Sequence, residues 1–372
     1  MQNLRLAILF VSLVSTFSFS FAQESALLQD KELTMLATVV RVESSELQEV
    51  PNTNTTALYQ TVVVRINKGE QQGKEVTITD SAFAVQSGDK VYVRYLQTTD
   101  GSEYYSIQEP YRLDALLWLL IFFIALVLLF GGKQGFLSLV ALFISFGAIF
   151  KYLFPQIITG GNIVALATLG ALLSLFVVMY LTHGFTRLTT AAFLGCTLSV
   201  IVTLALAKYA VVVTKLTGFA SEESVYLNIA TQGNLDFIAL LVGGIIIGVI
   251  GVIDDVSITQ ASVVNQLQLA NPQISTRNLY TKALKVGKDH MGAVINTLIL
   301  AYAGASLPLV LLFYVSNTPV LELINREVIA TEIVRSIVGS VGLLLAVPLT
   351  TLIAVILMKN HASKEHAHAH HH

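Results

Sequence analysis

Long apolar segments between residues 113 and 358 constrain the fold of this chain more than any other feature. Seven of them run for about 18–25 residues, enough for a helix to cross a hydrocarbon layer of about 30 Å. Only 12% of the residues are charged, against about 25% in a soluble domain. The pattern predicts a polytopic α-helical membrane protein with these spans: 113–130, 136–154, 161–182, 188–212, 235–255, 292–315 and 333–358.

The distribution of basic residues predicts the side of the membrane on which each connection lies. Basic residues occur in every second connection between spans and after the last span: Lys133, Arg187, the four basic residues of 277–288, and Lys359. The segment FASEESVYLNIATQGNLD, between the fourth and fifth spans, carries acidic residues and no basic residue. Because short cytoplasmic connections are rich in Lys and Arg, we expect the residues before the first span outside the cell and the C-terminus inside. The sparse charges form no basic surface, and no nucleic-acid partner is predicted.

The first 22 residues have the form of a secretion signal. Arg5 precedes an apolar core, and Ser20-Phe21-Ala22 supplies a small-residue cleavage site before Gln23. The alternative is an uncleaved anchor helix, although this core is short and rich in serine. With either a cleaved signal or an anchor helix, the residues that follow are expected on the outer side of the membrane.

Residues 34–108 differ in character from the rest of the chain. Five short segments are rich in β-branched residues and are separated by glycine-containing turns: LTMLATVVRV, ALYQTVVVRI, KEVTITD, KVYVRYL and EYYSIQ. They predict a small extracytoplasmic all-β domain, either a barrel or a sandwich. No cluster of His, Cys or acidic residues marks a catalytic site there. We therefore expect a structural module or a docking surface for an extracytoplasmic protein partner.

The fifth span ends in two adjacent carboxylates, Asp254 and Asp255. Small residues in this span share one helix face with the second acid, and such faces let helices approach closely in lipid. A carboxylate within a span is costly, which favours a functional role; a solvated helix end is the alternative. Thr259 and Gln260 continue the polar stretch. The predicted packing face consists of Gly244, Gly248 and Gly251, followed by Asp255.

Ionisable residues also open the sixth span. Asp289 and His290 precede it, Asn296 follows on the Asp289 face, and Gly304 lies on the His290 face. If the two spans pack as an antiparallel pair, their acids and imidazole meet at the cytoplasmic mouth and suit a divalent cation or a proton relay. The predicted substrate- or ion-binding set is Asp254, Asp255, Thr259, Gln260, Asp289, His290 and Asn296, with Asp255, Asp289 and His290 as metal ligands.

The seventh span begins with an acid and a base. Glu332 and Arg335 are spaced for an ion pair at the outer mouth, and Gly339 follows Arg335 on a further packing face. Arg335 is expected to extend toward lipid headgroups; contact with an anion in a pathway is the alternative. Residues 359–372 form a cytoplasmic tail that ends in a histidine-rich stretch typical of a purification tag.

Three motifs carry a resemblance to a known family: GVIDDVSITQASVV, GKDHMGAVINTLILAYAGASLPLVLL and RSIVGSVGLLLAVPLTTLIA. Over about residues 110–358 the chain resembles the YibE/F family of bacterial multispan membrane proteins. The resemblance implies a bacterial cytoplasmic membrane protein with an extracytoplasmic β-rich module, and a transport role is supposed for the family. The positions that match its motifs are Asp254, Asp255, Gln260, Asp289, His290, Asn296 and Arg335.

Three functions follow from these residues. The first is a secondary transporter or permease for a small solute or ion, coupled to protons or a cation. The chain has no Gly-x-x-x-x-Gly-Lys-Ser/Thr loop for a nucleotide. The second is a non-catalytic scaffold whose β domain docks a partner, and a homo-oligomer is compatible with either. The third, a metal-dependent membrane hydrolase, is disfavoured because no His-Glu-x-x-His motif occurs, and we expect no enzymatic activity.

Overall fold

The computed structural model describes residues 31–49, 56–69, 71–80, 83–316 and 318–369. The predicted secretion signal, residues 1–22, lies outside the described residues, as do the last three residues of the tail. The chain divides into two compact units, one ending at Val127 and the other beginning at Leu128.

The first unit contains one antiparallel sheet of five strands in the order β3-β2-β1-β4-β5. Its strands overlap the five segments predicted from β-branched residues, although β1 continues past Val42 to Glu49. The predicted turns contain three glycines with positive φ: Gly69, Gly88 and Gly101. The strands are β1 (Lys31–Glu49), β2 (Thr56–Ile66), β3 (Glu75–Asp80), β4 (Lys90–Gln97) and β5 (Glu103–Pro110).

The sheet curls so that its two edge strands are bridged by side chains. Lys74, directly before β3, donates to Glu103 and Tyr105 of β5 at 3.0 and 2.9 Å. Every strand contributes to one buried cluster, which includes Ile78 of β3 and Ile107 of β5. The predicted all-β unit is thus a single small antiparallel sheet whose edge strands, β3 and β5, contact each other through side chains.

The second unit is helical. Its helices, together with the long helix that begins in the first unit, are α1 (Leu113–Ala148), α2 (Phe154–Ile158), α3 (Ile163–His183), α4 (Arg187–Val213), α5 (Glu222–Ala230), α6 (Phe237–Ala270), α7 (Thr276–Ala305), α8 (Leu307–Val315), α9 (Val320–Asn325) and α10 (Glu327–Ala369). A π-helical turn, Ile149–Leu153, joins α1 to α2.

Among the described residues, five helices are long and apolar enough to cross a membrane, or six if α7 and α8 form one span bent by 62°. These helices indicate a membrane protein. The first two predicted spans lie in one stretch, Leu113–Ile158, which is broken where the sequence predicts a connection: Gly132 has the non-helical angles φ 51° and ψ −133°. The prediction of seven spans thus exceeds the count of continuous helices.

Helix α10 packs most extensively on α4, and also on α6 and α7. Its successive contacts show that α6 runs in the same direction as α10, whereas α4 and α7 run in the opposite direction. In order along α10, Gly339 lies against Val249 and Leu298, Gly342 against Ile253 and Thr203, Thr350 against Ser257 and Gly195, and Thr351 against Gln260.

Candidate functional site

The paired carboxylates of α6 lie deeper in the helical unit than hydropathy predicts. Ile253, next to Asp254, packs against Gly342. Gly342 lies near the middle of the apolar stretch of α10, and Thr203, which packs there too, lies near the middle of α4. The sequence predicted that the fifth span ends at residue 255, but α6 continues without a break to Ala270. Asp254 and Asp255 therefore lie within a continuous helix and not at its end, since later polar side chains of α6 find partners inside the bundle; their place at the cytoplasmic mouth of the span stays a prediction.

Asp254 belongs to a polar cluster between α4, α6 and α10. It is half-buried and close enough to Cys196 and to Asp255 to interact electrostatically with both. Ser257, one turn further along α6, is fully buried; it lies near the Cys196 thiol and accepts a hydrogen bond from Thr350 at 3.3 Å. The Asp254 carboxylate thus lies near the neutral side chains of Cys196, Ser257 and Thr350 inside an otherwise apolar helix bundle.

Gln260 is buried and serves as a structural link between three helices. Its amide nitrogen donates to Thr351 of α10 at 2.7 Å and to the carbonyl oxygen of Ala283 of α7 at 2.9 Å. A buried amide held in this way stabilises the helix contacts. The sequence predicted a substrate- or ion-binding role for Gln260, whereas the structure gives its amide nitrogen two protein partners.

Asp289 and His290 share the level of Asp255 but do not join it in a three-ligand metal group within the described residues. On α7 they lie between Gly287, which packs against Gln260, and Leu298, which packs against Gly339, so they fall within about one helical turn of Asp255 in depth. All three side chains are exposed, as are those of Thr259 and Asn296. No group of three His, Cys, Asp or Glu side chains in the described part of the chain could hold a metal ion. The predicted metal set of Asp255, Asp289 and His290 is therefore not assembled, because these side chains lie on exposed faces of α6 and α7.

The predicted glycine face of α6 is not a tight helix contact within this chain. A Cβ built on Gly244, Gly251 or Gly304 would meet no described atom within 4 Å, and one on Gly248 would meet only Tyr302 Oη at 3.5 Å. Gly339 does pack closely, 3.1 Å from Val249 Cγ2 by the same measure. Periodicity identified a face of small residues, but another face of α6 carries the buried side chains.

Close packing instead depends on glycines that the sequence did not single out. A Cβ on Gly287 of α7 would lie 2.5 Å from Val347 Cγ1 and 2.6 Å from Gln260 Oε1. A Cβ on Gly195 of α4 would lie 2.7 Å from Thr350 Cα. Gly287 stands in the quoted GKDH motif, although its packing role depends on helices distant in sequence.

A cavity of about 360 Å³ lies where α6 and α10 begin and α7 ends. Glu332 and Arg335 both line it and form the predicted ion pair, with Arg335 donating to Glu332 at 2.9 Å. The guanidinium also lies over the ring of Tyr302, 5.9 Å from its centroid. Gly244 opens onto the same cavity. The exposed glycine face of α6 therefore leads from this cavity toward Asp255.

A family model described as YibE/F-like protein matches residues 119–360, about two thirds of the chain. The chain belongs to this family. The match covers every residue of the polar cluster and of the cavity in this YibE/F-like protein, whereas strands β1–β5 precede it. No curated protein and no solved structure gives a significant match to the chain.

Several residues of these sites in the YibE/F-like protein were missed by sequence reasoning. Cys196, Thr350 and Thr351 join the polar cluster, while Ser306 and Thr331 join the cavity. The sequence gives little indication of these residues, because isolated serines and threonines are common in apolar helices. There the hydroxyl usually donates to a backbone carbonyl oxygen one turn earlier in the same helix, as Thr351 does to Val347. Only the packing of distant helices brings them together.

Proposed function

We propose that this protein is a secondary transporter or permease of the bacterial cytoplasmic membrane, coupled to protons or to a cation. The observation that supports it best is a half-buried carboxylate, Asp254, beside the middle of α4 and α10. Ionisable side chains inside a membrane are costly and typically belong to ion or proton pathways, and transporter sites lie near the middle of the bilayer. The chain carries no nucleotide-binding loop, so an ion gradient would supply the energy.

The proposed route runs from the cavity at Arg335, along the exposed glycine face of α6, to Asp254 and Asp255. Beside this face, on the buried side of α6, Gly339 packs against Val249 and Leu298. A cavity at one end of α6 and a close helix contact further along it suit a protein that opens its two sides in turn. Rocking of α10 against α6 and α7 would move this contact.

The proposed topology follows the predicted orientation. The strands β1–β5 and the cavity face the outside, and the tail faces the cytoplasm. In this topology α6 and α10 cross the membrane from outside to inside, and α4 and α7 cross in the opposite direction. The observed helix directions agree, since α6 is parallel to α10 and both α4 and α7 are antiparallel to it. Seven crossings are proposed, with Gly132 separating the first two.

The scaffold function competes with this proposal. It needs a partner for the β unit and makes no use of Asp254. A metal-dependent hydrolase has less support, because the described residues contain no three-ligand metal group. The transport assay below therefore decides chiefly between a transporter and a scaffold.

The test measures solute-dependent ion movement into liposomes. The full-length chain is reconstituted with a pH-sensitive dye inside, and a potassium diffusion potential, negative inside, drives proton entry. Small amino acids, carboxylates, amines and sugars are added in turn, and a parallel arm uses an inward sodium gradient with a sodium-sensitive dye inside. We expect at least one solute to accelerate ion entry, and Asp254→Asn to reduce that rate by about tenfold or more, since the amide carries neither a charge nor an exchangeable acidic proton.

Glu222→Gln is the matched control, because this acid lies exposed on α5. It should transport at the rate of the natural chain. Thermal unfolding in detergent verifies that each variant is folded. Equal rates for Asp254→Asn and the natural chain, or no solute-dependent entry in either arm, would reject the transport function and favour the scaffold.

A further inference from the structure

We infer that the cavity at the start of α10 binds a small zwitterionic solute, with its carboxylate at Arg335 and its ammonium group at Glu332. This inference names the substrate class of the proposed transporter and depends on that proposal for its biological meaning. Binding at the cavity is measured separately from transport.

The cavity has the size and lining of a small-molecule site. Its volume of about 360 Å³ falls within the range of roughly 300–1,000 Å³ that is typical of ligand pockets. Phe237, Leu240 and Leu241 form an apolar wall that suits a short hydrocarbon side chain. The polar lining consists of Ser221, Ser224, Ser306, Thr331, Glu332 and Arg335.

Two polar groups of this lining lack hydrogen-bond partners. Thr331 is only 3% exposed, and its Oγ1 is buried without a partner among the described residues. Arg335 Nε is likewise buried and makes no hydrogen bond within the part of the chain that the structure describes. Leaving such groups unpaired in a buried position is unfavourable. A polar ligand in the cavity would satisfy both.

The two charges of the lining determine the class of ligand. Glu332 and Arg335 are paired, and their side chains are 26% and 30% exposed, so the cavity is close to neutral overall. A lone anion or a lone cation would leave one unbalanced charge in a partly enclosed space, which is unfavourable. A zwitterion adds no net charge and offers an opposite partner to each side chain. Arg335 also retains donors beyond the one given to Glu332.

The break between α7 and α8 adds to the carboxylate end of the site. Ser306 lines the cavity and is shared by two helices, as the C-cap residue of α7 and the N-cap residue of α8. The end of one helix and the start of the next carry partial charges of opposite sign, so they leave little net charge at this point. The Ser306 hydroxyl, with Arg335 and Thr331, supplies donors to the carboxylate end and leaves Glu332 for the ammonium group.

The test compares ligands that differ by one charge. Calorimetric titration of the full-length protein in detergent uses glycine, alanine and serine as zwitterions, propionate as the carboxylate alone, and alaninamide as the ammonium alone. We expect saturable binding of at least one zwitterion, and binding at least about tenfold weaker for propionate and alaninamide. Equal affinity of alanine and either analogue, or no binding of any zwitterion, would overturn the inference.

Variants connect the binding to the cavity. Arg335→Gln and Thr331→Val should each weaken zwitterion binding by about tenfold, and Glu332→Gln should abolish the preference of alanine over propionate. The control is Arg326→Gln, which removes a similar but exposed ion pair with Glu322 and should bind as the natural chain does. Unchanged affinity in folded Arg335→Gln would also overturn the inference.

The two proposals fail in distinguishable ways. Zwitterion binding that disappears in Arg335→Gln, without any flux into liposomes, would support this site and reject transport. Flux of another solute that depends on Asp254, without zwitterion binding, would support transport and reject this site.

Discussion

Gly287 is the residue on which the packing of α7 against its neighbours depends most directly. A Cβ added to Gly287 would overlap both the Val347 side chain of α10 and the side-chain amide oxygen of Gln260 of α6. Gln260 cannot easily turn away, because its amide nitrogen already bonds to Thr351 and to the Ala283 carbonyl oxygen. Gly292, on the same helix, has open space where its side chain would stand within the described chain.

We therefore predict that Gly287→Ala destabilises the protein by about 1–3 kcal/mol, the usual cost of overpacking. Gly292→Ala should be neutral or stabilise α7 by up to about 1 kcal/mol, since alanine favours the helix. Unfolding of both variants in detergent, followed by circular dichroism, measures the difference. If the two alanine variants unfold alike, the close contact at Gly287 does not limit stability.

The sequence alone could not distinguish these two glycines. Both lie in the segment GKDHMGAV, and spacing predicted close packing at Gly244 and Gly251 instead. The identity of a helix face follows from periodicity, but which face meets another helix depends on the arrangement of all helices. Arg335 and Glu332, only three residues apart, were correctly predicted to pair because a local spacing decides that contact.

Among the elements, strands β3 and β5 show how charges close a small sheet. Bonds to Tyr105 and Glu103 raise the pKa of Lys74 above its ordinary value of 10.5. Bonds chiefly to Lys74, and also to Tyr95 and Tyr105, lower the pKa of Glu103 below its ordinary value of 4.5. The ion pair thus stabilises the folded unit fully between these two ordinary values. It is lost as the pH falls through the lowered pKa of Glu103, or rises through the raised pKa of Lys74.

We predict that acid loosens the junction of β3 and β5 before it affects the centre of the sheet. In full-length protein, hydrogen exchange of β5 amides, corrected for the intrinsic effect of pH, should rise below pH 4.5, whereas exchange of the central strand β1 should not. Glu103→Gln should show faster β5 exchange already at neutral pH. Arg41→Gln, which removes an exposed pair with Glu43, should behave as the natural chain does.

Strands and long helices could be predicted from the sequence, whereas the ends of helices α6 and α7 could not. The five β-branched segments all form strands, since alternation and glycine turns specify them locally. Hydropathy placed the end of the fifth span at the first carboxylates, but α6 continues because Ser257 and Gln260 are hydrogen bonded inside the bundle. Polar residues that are satisfied by other helices look, in the sequence, like the end of a span.

At the scale of the whole molecule, the proposed orientation can be tested with the single cysteine as background. Cys196 is fully buried, so it should react slowly with maleimides. We predict that a membrane-impermeant maleimide added to intact cells labels Leu47→Cys, which is exposed on β1, and not Lys282→Cys, which is exposed on α7. Permeabilised cells should label both. Labelling of Lys282→Cys alone in intact cells would invert the proposed topology.

The segment from Ser306 to Val328 begins and ends at the same cavity, since both residues line it. The chain therefore leaves the bundle after α7, forms α8 and α9, and returns to the depth from which it departed. Whatever path these two short helices follow, the segment that contains them adds either no membrane crossing or an even number of crossings. The opposite directions of α6 and α7, and of α7 and α10, thus do not depend on the path of α8 and α9, and a shift of α8 would leave the tail on the same side.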